Sequence, residues 1–452
     1  MLRTHTCGEL RKEDVGKKVK LCGWVDSIRS HGKVNFIDLR DRYGKTQIVT
    51  LGKLEVKLEY CIQVNGEVVA RKKGMENKDM FTGEIEVFTK DIKVFNSCPT
   101  LPFELNDEKV SEEVRSKYRY LDLRNKFLQD KLILRHKLYR AILDYMDRQG
   151  FVYLETPILA KSTPEGARDY IVPSRVNPGT FYALPQSPQI FKQLSMVAGF
   201  DKYFQIARCF RDEDLRADRQ PEFTQLDVEM SFIDQEDLMK EMEGLYKYIW
   251  KEVLGEDIRT PFPRLSYKEA MKKYGKDNPD IHKKGEKWAF VWIVDFPAFQ
   301  WDEENKRFYA VHHPFTSPED NADFSKPKDI KAKAYDLVLN GSEIGGGSIR
   351  IHDKETQSKV FKTLSISDQE AEKKFGFLLN ALSHGAPPHG GIAFGLDRIA
   401  QLLTNSDNIR DVIPFPKNKA AQDVMMNAPS PISAAQLKEA NIKLDIKKEK
   451  KK

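Results

Sequence analysis

Three segments of the chain carry charged residues at spacings that suit the binding of phosphate and a divalent cation. The first joins Phe210-Arg211-Asp212-Glu213, across ten residues, to Thr224-Gln225-Leu226-Asp227-Val228-Glu229. Because alternate residues of a strand share a face, Arg211 is expected beside Glu213, and Asp227 beside Glu229. One wall would then offer an arginine for phosphate next to several carboxylates. The plainer interpretation is a surface hairpin with paired charges.

The second segment, 335–350, predicts a hairpin whose two strands carry acidic residues. Asn340-Gly341 between alternating runs indicates a two-residue type I′ turn. Its register would be Leu339–Ser342, Val338–Glu343 and Asp336–Gly345. Asp336 and Glu343 would then share a face within reach of one Mg²⁺ ion. Glycines at 345–347 leave room for a ligand or backbone, and a bulge would re-aim Arg350 into the site. A hairpin that only turns is the alternative.

The third segment, 391–398, passes from a glycine-rich strand into a helix. Its small residues allow close packing beneath a flat ligand, and Arg398 could stack over an aromatic ring. The segment matches neither a P-loop nor a G-x-G-x-x-G fingerprint, which disfavours a Walker-type nucleotidase.

The chain contains two regions that differ in their pattern of apolar residues, and the three segments lie in the second of them. Residues 17–95 contain five short runs rich in β-branched and aromatic residues: Val19–Val25, Val34–Leu39, Thr46–Thr50, Cys61–Ala70 and Ile85–Val94. They predict a small barrel of the OB-fold type, which binds oligonucleotides, although such a barrel can also be inert.

The second region predicts an α+β domain around an antiparallel sheet, because strands and helices mix without strict alternation. An amphipathic helix is expected over Asp130–Gln149. Further helices are expected near 187–198, 235–254 and 368–383. The expected strands are Tyr203–Phe210, Thr224–Phe232, Phe290–Phe296, Tyr335–Leu339, Ser342–Ile351 and Gly391–Phe394.

The composition is that of a globular protein, with 40% hydrophobic and 31% charged residues in 452. That length predicts two or three domains. No apolar run approaches the roughly 20 residues of a membrane helix, and no signal peptide is evident. Five cysteines without C-x-x-C spacing argue against disulfides or zinc, so a cytoplasmic protein is expected. Excess Lys and Arg in 1–103 and 443–452 fit a nucleic-acid partner, although the tail can equally be a solvated lysine run.

In their order along the chain, these segments resemble the signature motifs of class II aminoacyl-tRNA synthetases. Motif one is similar to Gly150–Leu159, motif two to 210–213 and motif three to 391–398. Further segments narrow the resemblance to bacterial-type aspartyl-tRNA synthetases over almost the whole chain: Ser162–Asp169, Gln186–Gln193, His312–Thr316 and Gly345–His352.

The resemblance implies a domain organisation and an activity. It implies an OB-fold anticodon-binding domain at 1–103, a hinge at 104–125, a class II catalytic domain at 126–425 whose antiparallel sheet is flanked by helices, and a C-terminal extension with a Lys-rich tail at 426–452. The implied reaction is ATP-dependent ligation of L-aspartate to tRNA(Asp) through an aspartyl-adenylate. A homodimer with Pro157 at the subunit contact, Mg²⁺ and no membrane association are also implied.

Residue roles follow from the same resemblance. The amino acid would meet Glu165, Ser187, Gln189 and Asp227 at its ammonium end, and Lys192, Arg350, His312 and His313 at its side-chain carboxylate. ATP would meet Arg211, Asp212, Glu213, Gln220, Phe223, Glu343, Gly395, Leu396, Asp397 and Arg398, with adenine between Phe223 and Arg398. Arg211, Glu213 and Arg398 would be catalytic, Asp336 and Glu343 would bind Mg²⁺, and Arg29, His31, Phe36 and Gln47 would contact the anticodon.

Two departures from the bacterial pattern bear on tRNA. Only a short polar bridge, 282–287, stands where bacterial-type members carry a large inserted domain. His31 resembles the form found in non-discriminating relatives, which implies aspartylation of tRNA(Asn) as well. A loop histidine without influence on the anticodon is the alternative.

Three other functions compete with this interpretation. An asparaginyl-tRNA synthetase shares the motifs, but the cationic pair Lys192 and Arg350 favours aspartate. A non-catalytic tRNA-binding paralogue would not need Arg211, Glu343 or Arg398. An ATP-dependent asparagine synthetase on the same fold would lack the barrel.

Overall fold

The computed structural model describes residues 1–107, 109–163, 166–215 and 218–445. The chain divides into two compact units, Met1–Arg115 with Tyr120–Gln129, and Ser116–Arg119 with Asp130–Lys452. The finer division into anticodon domain, hinge, catalytic domain and extension stays a prediction.

The first unit is built on a five-stranded closed barrel. Its strands are β1 (Lys18–His31), β2 (Val34–Asp41), β3 (Gly44–Leu51), β4 (Cys61–Ala70) and β5 (Ile85–Asn96). β1 pairs with both β2 and β4, and a parallel pairing of β3 with β5 closes the ring. Alternate apolar residues fill the interior, among them Leu21, Ile37 and Val64. The predicted barrel and its five strands are confirmed.

The second unit is built on an eight-stranded sheet in the order β11-β12-β15-β16-β17-β10-β9-β6. Its strands and those of two separate hairpins, β7–β8 and β13–β14, are β6 (Val152–Tyr153), β7 (Ile171–Pro173), β8 (Phe181–Ala183), β9 (Lys202–Phe210), β10 (Glu222–Ser231), β11 (Arg264–Ser266), β12 (Phe290–Val294), β13 (Phe299–Asp302), β14 (Arg307–Ala310), β15 (Ala334–Leu339), β16 (Ser342–Ile349) and β17 (His389–Gly395). Neighbours are antiparallel except for β11–β12 and β6–β9. The predicted antiparallel sheet is confirmed.

The helices are α1 (Glu112–Lys117), α2 (Arg119–Asp122), α3 (Lys126–Arg148), α4 (Gln189–Val197), α5 (Gln235–Ile249), α6 (Tyr267–Tyr274), α7 (Lys354–Thr363), α8 (Asp368–Leu382), α9 (Leu396–Leu403) and α10 (Ala434–Glu439). A π-helical turn, Trp250–Leu254, continues α5, and 3-10 turns lie at Lys12–Asp14, Pro327–Asp329 and Ile409–Val412. Within the described residues, no helix is both long and apolar enough to span a membrane.

The two faces of β10 have different surroundings. Leu226 and Val228 point into the main core, where they join Leu138 of α3, Leu245 of α5 and Ile399 of α9. Residues of the opposite parity therefore point to the other face, because successive side chains of a strand alternate. That second face carries the polar residues of the candidate site.

The β15–β16 hairpin has the predicted turn but a different register. Asn340 and Gly341 have φ values of 51° and 74°, as a type I′ turn requires. Leu337 pairs with Gly345, and Asp336 with Gly346. The predicted pairing of Asp336 with Gly345 is therefore wrong by one residue. A bulge at Ile344 places an extra residue on β16, and Gly346 consequently faces Asp336.

Candidate active site

A cavity of about 330 Å³ opens where β9, β10, β16 and β17 meet. It is lined by Arg211, Glu213, Asp218, Arg219, Gln220, Phe223, Gln225, Glu343, Ile344, Gly345, Ala393, Gly395, Asp397, Arg398 and Ile409. β9 ends at Phe210, so Arg211 and Glu213 lie beyond the strand rather than on its face, yet both reach this cavity. Its size and its arginines suit a nucleotide.

The ring of Phe223 and two arginines form the aromatic and cationic part of this cavity. The guanidinium carbon of Arg211 lies 5.0 Å from the centroid of the Phe223 ring. Arg398 donates to the backbone oxygen of Glu343, and its Nη2 lies 3.3 Å from Asp218 Oδ2. An aromatic face beside guanidinium groups is an arrangement that can stack a base and neutralise phosphate.

Two residues predicted to bind ATP, Asp212 and Leu396, do not line the cavity, and a third, Gln220, lines it but has its amide bonded to the protein backbone. Asp212 is exposed outside the cavity, with its backbone N–H donating to Arg168 O. Leu396 is fully buried in the main core. The amide of Gln220 accepts from Lys417 N at 2.8 Å and donates to Lys417 O at 3.1 Å. The Gln220 amide therefore fixes the backbone of Lys417, which lies 197 residues later in the chain. No pattern in the sequence indicated that Lys417 would lie near this cavity.

Two carboxylates converge on Gly346 at the edge of the cavity. A Cβ atom added to Gly346 would lie 2.5 Å from Asp336 Oδ1 and 3.7 Å from Glu343 Oε1. Burial, and then the charges of Glu343 and Asp277, raise the pKa of Asp336 well above its usual value. A cation would relieve this repulsion. Among the described residues, no three His, Cys, Asp or Glu side chains are placed to hold a metal without further ligands.

Four other buried charged side chains form a group in which the charges alternate in sign: Asp227, Lys192, Glu229 and Arg350. Lys192 Nζ lies 2.9 Å from Asp227 Oδ1 and 3.7 Å from Glu229 Oε2. Arg350 contacts Glu229 twice, through Nε at 2.9 Å and Nη2 at 3.2 Å. Its Nη1 also donates to Ser348 Oγ at 2.8 Å. The two cations are therefore already paired with protein carboxylates, which the sequence interpretation did not anticipate.

The pKa values of the two carboxyl groups diverge. Burial raises the pKa of Asp227 despite the nearby Lys192 ammonium. Burial acts in the same direction on Glu229, but Arg350 and Lys192 together leave its pKa below the ordinary value. Glu229 is thus held as the anion that orients Arg350.

Polar atoms without a protein partner lie among these groups. Within the described part of the chain, no hydrogen-bond partner is found for Asp227 Oδ2, Gln189 Nε2 or His312 Nε2. Gln189 lies one helical turn before Lys192, which contacts Asp227. Since buried polar atoms normally have partners, a ligand offering both donors and acceptors fits here. Ser187 Oγ accepts from Gln189 N at 3.3 Å at the start of the same helix.

Glu165 lies outside the described residues, but the segment that follows it is held by Gln186. The Gln186 amide donates to Ala167 O at 2.9 Å and to Asp169 Oδ1 at 2.5 Å, and accepts from Ala167 N at 3.0 Å. Gln186 is 1% exposed. Its contribution was missed because a single glutamine in a loop gives no periodic signal.

His312 and His313 flank Arg350 as neutral rings. Burial, and then the Arg350 charge, lower the pKa of His312 to about 4 and that of His313 to about 3. The His312 ring stands edge-on to Phe296 at 4.6 Å, and His313 Nδ1 accepts from Phe315 N at 3.3 Å. Neither imidazole is a cation in this site at neutral pH.

These lowered pKa values predict a pH dependence of folding. In the unfolded chain each of these histidines binds a proton near pH 6.5. In the folded protein His312 does so only near pH 4 and His313 only near pH 3. The resulting stability is complete above pH 6.5 and is lost as the pH falls toward the folded values. Between pH 7 and 5 we expect the two histidines together to lower the free energy of unfolding by about 3–4 kcal/mol.

Urea denaturation at both pH values would measure this loss. In the His312→Asn/His313→Asn variant the loss should be smaller, whereas His384→Asn, which removes an exposed ring, should behave like the wild type. An unchanged pH dependence in the double variant would contradict the assignment.

The predicted anticodon residues share one outer surface of the barrel. Arg29 pairs across strands with Phe36, and its Nη2 lies 3.2 Å from Gln47 Oε1. Gln47 donates in turn to Glu86 Oε2 at 2.7 Å. The His31 ring stands edge-on to Phe36 at 6.1 Å. Glu86 was not among the residues predicted on this surface. Because Glu86 alternates with buried Val87 along β5, its outward position could have been predicted from the sequence.

Comparison with known proteins identifies two family models in the chain. Residues 111–419 match the model described as tRNA synthetases class II (D, K and N). Residues 19–95 match the OB-fold nucleic acid binding domain. The N-terminal OB-fold and the class II synthetase core predicted from the sequence are thereby confirmed.

Two relatives that align over nearly their whole length are both named aspartate--tRNA(Asp/Asn) ligase. The aspartate--tRNA(Asp/Asn) ligase of Caldanaerobacter subterraneus subsp. tengcongensis is 44% identical, with 98% of each protein covered. That of Thermotoga maritima is 42% identical, with 98% of this chain and 100% of the relative covered. The first alignment extends over 583 positions against 452 residues here, so the relative has residues, at least 131 in total (583 − 452), that this chain lacks.

Solved structures support the fold. Asparaginyl-tRNA synthetase from Pyrococcus horikoshii complexed with asparaginyl-adenylate superposes with a TM-score of 0.76 at 24% identity, over 92% of this chain and 98% of that one. A putative aspartyl-tRNA synthetase from Leishmania major gives 0.75 at 19% identity, over 92% and 94%. At such identities the likeness concerns the fold alone. With the family models and the full-length relatives, these comparisons show that the chain belongs to the class II aminoacyl-tRNA synthetases and groups with the aspartate--tRNA(Asp/Asn) ligases.

Proposed function

We propose that this protein uses ATP to attach L-aspartate to tRNA(Asp), and also to tRNA(Asn), through an aspartyl-adenylate. The observation that carries the proposal is the outer face of β10. Phe223 and Gln225 line the nucleotide-sized cavity, while Asp227 and Glu229 hold Lys192 and Arg350 farther along the same face. One strand thus joins a site for ATP to a site for a charged amino acid.

Adenylation at this site needs no general base. The α-carboxylate of aspartate is ionised at neutral pH, so the main barrier is the approach of one anion to the α-phosphate of another. Arg211 lies in the cavity where it would contact both groups and stabilise the charge that develops between them. Arg398 and Phe223 would hold adenine between them, and Glu213 would fix the nucleotide from the cavity wall.

Recognition of the amino acid would use the buried charges and the unpartnered atoms. Glu165, Ser187, Gln189 and the free Asp227 Oδ2 supply polar groups for the ammonium end. Lys192 and Arg350, with neutral His312 and His313 beside them, supply cationic and donor groups for the side-chain carboxylate. Asparagine carries a neutral amide, so it would lose the charge-assisted hydrogen bonds that these cations offer to a carboxylate, which disfavours an asparaginyl enzyme.

Asp336 and Glu343 would hold Mg²⁺ together with oxygens of the ATP phosphates. Two carboxylates suit Mg²⁺, which is usually bound through few protein ligands plus substrate phosphates. The ion would neutralise phosphate charge during adenylation. The raised pKa of Asp336 supports this assignment, because a nearby cation favours its ionised form.

Glu343→Gln should raise the Mg²⁺ concentration for half-maximal aspartate-dependent pyrophosphate exchange about tenfold. Glu355→Gln, which removes an exposed carboxylate on α7, is the matched control. An equal Mg²⁺ requirement in both variants would refute the site.

The barrel surface would read the anticodon, with Phe36 stacking on a base and Arg29, His31 and Gln47 contacting base edges.

Charging of purified tRNA(Asp) and tRNA(Asn) with labelled aspartate tests the whole proposal. His31→Leu should lower the ratio of tRNA(Asn) to tRNA(Asp) charging about tenfold, because that factor corresponds to the free energy of one hydrogen bond. His5→Leu serves as control. Absence of tRNA(Asn) charging by the wild type would limit the enzyme to tRNA(Asp).

A homodimer acting in the cytoplasm completes the proposal. β6 is an edge strand of the large sheet, and apolar side chains on and after it are 39–53% exposed: Val152, Tyr153, Ile158 and Leu159. Exposed apolar clusters of this kind mark protein interfaces. Sedimentation equilibrium should give twice the 52.2 kDa chain mass.

A further inference from the structure

A buried polar network lies behind the nucleotide cavity, on the core face of β10. Arg135 projects from α3 and forms an ion pair with Asp397, the residue before Arg398. Asp397 Oδ2 accepts from the backbone N–H of Thr224, the residue after Phe223, at 2.8 Å. The network therefore joins the two chain positions that carry the ring and the guanidinium proposed to enclose adenine.

Thr224 is held at both of its polar groups. Its N–H is bonded to Asp397, while Arg208 Nη1 at 3.1 Å and Arg135 Nη2 at 3.3 Å donate to its hydroxyl. Phe223 and Gln225, its neighbours along the strand, point to the opposite face and line the cavity. Restraining Thr224 thus restrains the Phe223 ring without any contact to the ligand.

Arg135 is itself fixed on every side. It donates to Val412 O at 2.8 Å and, through Nε and Nη2, to Tyr139 OH at 3.0 and 2.6 Å. Arg135 is 9% exposed and Asp397 is 2% exposed. A planar guanidinium presents its donors in a fixed fork, so it holds several elements in one geometry more rigidly than a flexible ammonium would.

We infer that Arg135 and Asp397 are positioning residues that set the separation between Phe223 and Arg398, and with it the affinity for ATP. The inference rests on the proposed function, since it takes this cavity as the ATP site. It also gives Asp397, which borders the cavity, a positioning role between β10 and α9 in place of the predicted contact with the nucleotide.

The test compares Arg135→Lys with the wild type in aspartate-dependent pyrophosphate exchange. The KM for ATP should rise about tenfold, while the KM for aspartate stays within about twofold, because the amino-acid pocket is left intact. Lys131→Met is the matched control. It breaks a 3.1 Å ion pair between α3 and Asp411, which does not line the cavity, and should leave both KM values unchanged.

A second variant separates positioning from folding. Arg135→Met leaves Asp397 buried and unpaired, whereas Arg135→Met/Asp397→Asn removes both charges and should keep the fold. Calorimetric titration with a non-hydrolysable ATP analogue should show weaker binding by the folded double variant. Equal loss for both substrates, or unchanged binding of the analogue, would overturn the inference. An inactive wild type that still binds the analogue would refute the proposed function alone.

Discussion

Replacing Arg211 by alanine should lower aspartate-dependent pyrophosphate exchange by about 100- to 1,000-fold, the usual effect of removing one preorganised group that stabilises transition-state charge. Arg211 reaches the cavity from the end of β9, and its guanidinium lies over Phe223. Its loss leaves two anions to approach each other with less positive charge between them. Steady-state exchange with ATP and aspartate varied separately measures the effect.

The direction of the kinetic change distinguishes the possible roles of Arg211. A group that acts mainly in the transition state lowers kcat and kcat/KM together, whereas a pure binding group raises KM alone. Arg175→Ala, which removes an exposed arginine between β7 and β8, should retain full activity. Wild-type exchange by Arg211→Ala would contradict a catalytic role for Arg211, whereas absence of exchange in the wild type itself would favour a non-catalytic tRNA-binding paralogue.

Arg350→Gln should reduce kcat/KM for aspartate by roughly 1,000-fold, because the pocket loses a charge that is built to meet a carboxylate. The same change leaves Glu229 buried without its main partner, at a cost of about 3–5 kcal/mol in the free energy of unfolding. Pyrophosphate exchange and urea denaturation measure the two effects. KM for ATP should change far less than KM for aspartate.

Two further variants separate recognition from stability in this pocket. Glu229→Gln/Arg350→Gln removes both charges, so it should recover much of the stability but not the use of aspartate. Arg264→Gln breaks an ion pair with buried Glu243 outside the nucleotide cavity, and should lower stability while KM for aspartate is unchanged. Restored aspartate activity in the double variant would contradict the proposed role of Arg350.

The local features of the fold were predictable because short-range physics determines them. Alternation along β10 predicted the shared face of Asp227 and Glu229, and Asn340-Gly341 predicted the turn that the structure contains. Other available signals were overlooked. Ser266 and Glu269 form a capping box at the start of α6, and Asp353 caps α7.

The remaining site geometry depends on contacts between residues far apart in the chain. Gln220 is held by Lys417, and Arg135 by Asp397, and neither pairing leaves a periodic trace in the sequence. A bulge near the glycines at 345–347 was predicted, but neither its position at Ile344 nor its effect on the register was, since the turn residues fit either pairing of Asp336. Tertiary packing decides such choices.

The bulge at Ile344 also determines to which face of the sheet the side chains of β16 after it point. Glu343 and Arg350 are seven residues apart, an odd number that in a regular strand would send them to opposite faces. The extra residue puts Glu343 and, directly after the end of β16, Arg350 on the face of Asp336, so this one segment supplies the nucleotide half of the site and the amino-acid half. A strand that kept all of these residues but paired them without the bulge could retain its hairpin and its turn, yet Glu343 and Arg350 would point to opposite faces and only one half of the active site would face the cavity.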